Sequence, residues 1–120
     1  RFDWEIAQRL QIGARYNQLL DEIGFKRVIQ RTDRTSVYGQ FTVLCADREA
    51  VQSAFQKAGI PTAVHYPVPL NEQPAYRHLC CPDCTPVSRA TARKVMSLPM
   101  SADIAGTDQA SIVELLSSLG

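Results

Sequence analysis

The sequence predicts an α/β (α+β) fold: a two-layer sandwich in which a small, mainly antiparallel sheet is covered by helices. Three observations carry this. Helical and strand-like segments alternate along the chain, but the strand-like ones are few and short, so helices must supply most of the cover. At 120 residues the chain provides a single core, large enough to bury most of its apolar surface without staples. With 45% hydrophobic and 21% charged residues, the composition is that of a folded globular domain rather than a disordered tail. Neither an internal repeat nor a low-complexity tract interrupts it.

Residues from about Trp4 to Ile23 are predicted to form the first helix, because the segment lacks proline, carries one tolerated glycine at Gly13 and reaches a stop signal at Gly24. At about 100° per residue, Ile6, Ala7, Leu10 and Ala14 gather on one side, while Ile12, Tyr16, Leu19, Leu20 and Ile23 lie roughly opposite. A helix whose apolar face changes sides is either buried on both sides by its own small domain or touches two bodies. We expect one half to pack on this domain and the other, with Phe2 and Trp4, to meet a large domain outside these residues. The opening Arg1-Phe2-Asp3-Trp4, without an initiator methionine and with helical periodicity already under way, leads to the expectation of a piece of a longer protein.

Val37 to Cys45 is predicted to be a strand rich in β-branched and aromatic residues, with Val37, Phe41, Val43 and Cys45 on one face and Tyr38, Gln40 and Thr42 on the other. Asp47 is suited to cap a helix from about Arg48 to Ala58, with Val51, Ala54, Phe55 and Ala58 as its apolar stripe and Gly59 at its left-handed end. A second strand is expected over Thr62 to Tyr66, a short helix over Glu72 to Leu79, a helical turn or two over Pro86 to Arg93, and a short strand over Val95 to Leu98. Thr107 is placed to cap a last helix that has Asp108 in its first turn and Ile112, Val113, Leu115, Leu116 and Leu119 facing inward.

Charge narrows the partners. Thirteen Lys and Arg against twelve Asp and Glu, spread without long runs, argue against a nucleic-acid or membrane surface built on bulk electrostatics. No apolar run approaches the roughly 20 residues needed to span a bilayer, no signal-peptide pattern opens the chain, and a cytoplasmic setting is the default expectation. Cys81-Pro82-Asp83-Cys84 has the spacing of half a zinc knuckle, with Cys80 adjacent and His78 close by. The second ligand pair is absent and Cys45 alone cannot replace it, so no metal is expected and the cysteines read as loop thiols.

The stretch from Gly59 to Tyr76 carries the most chemistry. A short apolar strand runs into a loop stiffened by Pro67, Pro69 and Pro74, with Pro61 ahead of it, and presents His65 and Tyr66. On spacing alone, a pocket role and a packing role for these two side chains are equally open.

Read in order, Ser36-Val37-Tyr38-Gly39-Gln40-Phe41-Thr42-Val43, then Gly59 to Tyr76, then Pro86-Val87-Ser88 and Met96-Ser97-Leu98-Pro99-Met100 resemble the C-terminal domain of the DegT/StrS-type sugar aminotransferases. These are fold-type-I pyridoxal-phosphate (PLP) enzymes that aminate keto-sugars attached to nucleotides. Thr62-Ala63-Val64-His65-Tyr66-Pro67 is similar to members that aminate C3 of UDP-linked N-acetyl-3-oxo-hexuronic acids for surface polysaccharides, lipopolysaccharide among them. Two positions depart from the pattern: Asn71 stands where a histidine is frequent, and Ser101 where a histidine often follows Leu-Pro-Met.

The resemblance implies glutamate as amino donor, PLP as cofactor, a homodimeric parent, and a place for His65 and Tyr66 beside the cofactor and sugar pocket. A neutral imidazole and a phenol both hydrogen-bond sugar hydroxyls or carboxylates, and either also serves to satisfy buried backbone. His65 and Tyr66 are therefore the foremost candidates for substrate contacts, with Tyr38, Gln40 and Asn71 after them and no catalytic base assigned. Lys26, Lys57 and Lys94 are the only lysines; each reads as a solvated surface charge and none lies in the family's Schiff-base motif. No glycine-rich phosphate loop appears either, so the chain alone is expected to be inactive and to bind no PLP. The alternative is a free-standing interaction or dimerisation domain that uses the face around Trp4, Ile6 and Leu10.

Overall fold

The computed structural model describes residues 1–81 and 83–119. Six regular elements follow one another: α1 (Phe2–Glu22), β1 (Phe41–Leu44), α2 (Arg48–Lys57), α3 (Pro86–Ala92), β2 (Val95–Leu98) and α4 (Gly106–Ser118), with a 3-10 turn at Leu70–Glu72 between α2 and α3. The two strands pair antiparallel, Phe41 opposite Leu98 and Leu44 opposite Val95. Single antiparallel bridges widen this sheet on both sides, Arg27 to Val43 and Ala63 to Ser97. Helices cover it, and the expected two-layer arrangement is the one found.

Helix α1 and helix α2 end alike. Beyond each last turn a glycine adopts positive φ, +65° at Gly24 and +71° at Gly59, a conformation that costs glycine little. The next amide then reaches back to the last turn, Phe25 N–H to the Leu20 carbonyl and Ile60 N–H to the Phe55 carbonyl. These are Schellman closures, and in both the following apolar residue, Phe25 or Ile60, packs onto the core. At the other end of α2, the Asp47 carboxylate accepts the Ala50 N–H at 3.0 Å, as the sequence predicts.

The core lies between α1, α4, α2 and the sheet. Ile12, Tyr16 and Leu20 form the buried stripe of α1, spaced four residues apart on one face. They pack against Ile112, Val113 and Leu116 of α4, with Phe55 of α2 and Val43 and Met96 of the sheet completing the cluster. Two buried polar groups lock these layers: Gln109 donates to the Ile12 carbonyl at 2.9 Å, and the Tyr16 hydroxyl donates to the Pro99 carbonyl at 2.9 Å. The opposite face of α1 is not covered; Phe2, Trp4 and Leu10 are exposed. A central helix buried on both sides is thereby excluded for the described residues.

Several expected elements are corrected. The strand over Val37–Cys45 shrinks to Phe41–Leu44, because Tyr38 has φ +48° and turns the chain toward α1 before the sheet begins. Its N–H donates to Ser36 Oγ and its carbonyl accepts from Arg9, while its ring lies over Gly13, where a side chain would collide with it. Val37 is left exposed. The strand over Thr62–Tyr66 is reduced to the Ala63–Ser97 bridge; before it, Pro61 would face Pro99, and neither has an N–H to give, and after it His65 would face Val95, whose carbonyl accepts from Arg48 instead. The helix over Glu72–Leu79 is replaced by the Leu70–Glu72 turn and further turns. Helix α4 begins at Gly106 without a side-chain cap, so Thr107 lies inside it, and Leu119, like Ala58 of the α2 stripe, is exposed.

Among the described residues, no helix is long and apolar enough to cross a membrane.

Two substitutions test this packing. Phe55→Ala, which empties a fully buried site, is expected to lower unfolding free energy by about 3–5 kcal/mol, and Tyr16→Phe by about 1 kcal/mol, both read from urea midpoints. Burial first, then the negative charge of Asp108, raises the Tyr16 phenol above its ordinary value. The neutral phenol is thus favoured on folding, so its stabilisation is complete below about pH 10 and is lost as pH rises toward the folded value. Tyr16→Phe removes that part of the alkaline decline.

Candidate functional site

Strand β2 is buried at all four positions, and its one polar residue is Ser97. The Ser97 backbone pairs with Ala63, exchanging both hydrogen bonds, N–H to carbonyl at 2.7 Å and 3.3 Å. Its hydroxyl meets His65 Nδ1 at 2.9 Å, with the tautomer deciding which group donates. Backbone and side chain of one buried serine therefore fix both the segment that carries His65 and the direction of the imidazole. Tyr66 follows through a cis peptide bond, its ring edge-on to His65 at 5.5 Å between centroids. Tyr66 is 69% exposed, so its hydroxyl is free to meet a ligand.

Two open hollows meet at His65. One, of about 260 Å³, lies between Gln40, Pro61, Thr62, Pro99 and Met100. The other, of about 250 Å³, lies between Tyr66, Val68, Leu70, Ser88 and Thr91. Gln40 thus shares a hollow with His65, and Tyr66 shares the second. Tyr38 does not join them: its ring stacks on Phe41 at 5.7 Å, its hydroxyl accepts from Asn17 at 3.2 Å, and it lines a separate hollow of about 180 Å³ with Gln40. The common strand face expected for Tyr38 and Gln40 is not formed.

Asn71 sits one wall away, in a depression of about 460 Å³ with Leu70, Tyr76, Leu79 and Cys80. Its amide is engaged within the chain, donating to the Cys81 carbonyl at 3.4 Å and accepting the Thr85 hydroxyl at 3.1 Å. Beside it, Arg89 of α3 joins Glu72 at 2.5 Å and Asp83 at 3.4 Å.

The cysteines differ from the sequence expectation. Cys81 and Cys84 are disulfide-bonded rather than two loop thiols; Pro82 between them lies outside the described residues. Cys80 is free and exposed, and Cys45 is free and buried. Burial raises the Cys45 thiol above its ordinary value, with the Arg48 charge working the other way. Among the described residues no group of three or more His, Cys, Asp or Glu is placed to hold a metal ion.

The hollows offer neutral hydrogen-bonding groups on apolar walls. Lys26, Lys57 and Lys94 are exposed and none of them borders either hollow, so these walls supply no amine for an imine with a cofactor aldehyde. They do not fit a PLP anchor. They fit a surface laid against a polyhydroxylated ligand, where donors and acceptors of neutral charge grade one oxygen from another.

Ser97, Glu72 and Arg89 carry this architecture and were given no role from the sequence. For Ser97 a signal exists: it is the lone hydroxyl in the apolar run Val95 to Leu98, and a buried hydroxyl needs a partner. Glu72 and Arg89 are 17 residues apart on elements whose packing no local pattern reveals.

A family model described as the DegT/DnrJ/EryC1/StrS aminotransferase family matches residues 1–117. A UDP-2-acetamido-2-deoxy-3-oxo-D-glucuronate aminotransferase of Pseudomonas aeruginosa is 43% identical over 99 residues, which make up 82% of this chain and 27% of that protein. Among solved structures, S. venezuelae DesV in complex with a ketimine intermediate superposes with a TM-score of 0.90 at 26% identity, over 98% of this chain and 32% of that one. A DegT DnrJ EryC1 StrS aminotransferase from Brucella abortus superposes with a TM-score of 0.87 at 28% identity, over 96% and 31%. The chain thus spans roughly a quarter to a third of the length of these relatives.

The geometry around Ser97 yields a prediction that needs no ligand. Ser97→Ala removes the partner of His65 Nδ1 while leaving the strand backbone intact, and is expected to cost about 1 kcal/mol of stability and to change the imidazole tautomer balance. Nitrogen-15 shifts of the His65 ring measure the second effect, and Ser97→Thr, which restores a hydroxyl, is expected to return them toward the parent values.

Proposed function

This chain belongs to the DegT/DnrJ/EryC1/StrS aminotransferase family, and we propose that it forms the smaller, sugar-facing lobe of a PLP-dependent aminotransferase. In this reading the enzyme moves an amino group from glutamate to the 3-oxo carbon of a UDP-linked N-acetyl-hexuronic acid, in the cytoplasm, for surface polysaccharide synthesis. The substrate named for the Pseudomonas aeruginosa relative supports the sugar class.

The observation that carries the reading is the Ser97-held imidazole of His65 at the junction of two hollows, with Gln40 on one side and exposed Tyr66 on the other. His65, Tyr66 and Gln40 orient the sugar by hydrogen bonds to its hydroxyl and carboxylate oxygens. Pro61, Pro99 and Met100 supply apolar wall that displaces water from the ring faces. PLP, when bound, supplies the electron sink for amino transfer; because no lysine borders these hollows, its anchoring amine belongs to a large domain outside these residues. The uncovered face of Phe2, Trp4 and Leu10 is the contact assigned to that domain, and the whole enzyme is assigned as a homodimer. No proton transfer is assigned to this chain, and Tyr38 and Asn71 act at most from behind the walls that they brace.

The experiment is steady-state kinetics of the intact enzyme with the UDP-3-oxo sugar. His65→Ala is expected to lower kcat/KM by about tenfold or more, the equivalent of one or two lost hydrogen bonds in a desolvated site. Unchanged constants would remove His65 from the pocket.

A further inference from the structure

The disulfide between Cys81 and Cys84 joins residues only 3 apart in sequence. A ring so short constrains the unfolded chain far less than a long-range bond does, so fold stability gives little reason for it. Both sulfur-bearing residues are exposed, and so is the free thiol residue Cys80 beside them, so the segment is open to dissolved thiols.

Cys81, Asp83 and Thr85 are wired to the hollow at Tyr66. Asn71 holds the first and the third, through the Cys81 carbonyl and the Thr85 hydroxyl. Arg89 holds the second, bridging Asp83 to Glu72. Asn71 and Glu72 belong to the Leu70–Glu72 turn, and Leu70, with Pro69 and Ser88, walls the hollow that Tyr66 and His65 border. Any change in how Cys81, Asp83 and Thr85 are held reaches that wall through four named side-chain contacts.

We propose that Cys81 and Cys84 form a thiol–disulfide exchange site, at which a dithiol reductant loosens the wall that Pro69, Leu70 and Ser88 give the Tyr66 hollow and a disulfide oxidant restores it. A thiolate of the reductant attacks one sulfur of the pair, the protein S–S bond breaks, and the departing cysteine sulfur takes up a proton. The second thiol of the reductant attacks the mixed disulfide, releasing the other protein thiol and leaving the reductant as its own disulfide. Two electrons and two protons have then passed to the protein. A low-molecular-weight disulfide such as oxidised glutathione reverses the change. The site stands on chemistry at residues 80–85 and does not need the aminotransferase reading to hold.

The test uses the intact protein, folded, with iodoacetamide labelling followed by peptide mass spectrometry. Without reductant, Cys80 is expected to label while Cys81, Cys84 and buried Cys45 do not; after dithiothreitol, Cys81 and Cys84 label as well and Cys45 stays protected. Hydrogen exchange of backbone amides in residues 69–89 is expected to quicken by about tenfold on reduction and to return to its starting rate with oxidised glutathione. A Cys81→Ser, Cys84→Ser double variant is expected to exchange at the fast rate with or without dithiothreitol. Labelling of Cys81 and Cys84 at the rate of Cys80 before any reductant is added overturns the proposal, as does reduction that leaves exchange in residues 69–89 unchanged. Neither readout involves turnover, so an error about the sugar leaves this test intact.

Discussion

The interaction on which the rest of the structure depends is made by one residue of a four-residue strand. Ser97 lies in the middle of the sheet, opposite Thr42 in β1, and spends its backbone N–H and carbonyl on Ala63. Antiparallel geometry points those two groups to the same side, so the segment from Pro61 to His65 has only one place to lie. The hydroxyl then reaches His65. Were Ser97 shifted by one residue, its side chain would turn to the other face, and the imidazole would lose both its anchor and its place between the two hollows.

Such a short strand holds position because everything behind it is packed. Met96 and Val43 are fully buried and Phe41 and Leu98 nearly so, with Tyr16 and Phe55 filling the space from the helices. The Tyr16 hydroxyl ties α1 to Pro99, the residue just past the strand end. Pro99 in turn borders the hollow at His65 that Gln40 shares. Packing of α1 is thereby coupled to the shape of the hollow through one buried hydrogen bond, while the polar groups of His65, Tyr66 and Gln40 are drawn from loops, where stiffness comes from proline rather than from ladders.

Local physics was legible in the sequence, and long-range satisfaction was not. The Asp47 cap, the glycine closures after Ile23 and Ala58, the stripe of Val51 and Phe55 and the buried run Val95–Leu98 each follow from residues within a turn of one another. Tyr38 is different: alternation places it on a strand face, but a gap over Gly13, twenty-five positions earlier in the numbering, draws its ring to α1 at the cost of a positive φ. The short pairing at Ala63 depends on Pro61 falling opposite Pro99 on one side and on Arg48 taking the Val95 carbonyl on the other, a register no local pattern supplies. Of the candidate residues, His65, Tyr66 and Gln40 border the two hollows, whereas Asn71 is held by the Cys81 carbonyl and the Thr85 hydroxyl. Ser97 stood in plain view in Met96-Ser97-Leu98 without revealing that His65 was its partner, 32 residues away.

The central claim is that the imidazole held by Ser97 faces a sugar. A crystal structure of the intact protein with the proposed UDP-linked sugar amine bound measures this most directly. The account expects His65 Nε2 within about 3.2 Å of a sugar hydroxyl or carboxylate oxygen, with the Nδ1 contact to Ser97 retained. A sugar seated in density away from His65 and Tyr66, with both hollows filled only by water, would contradict it.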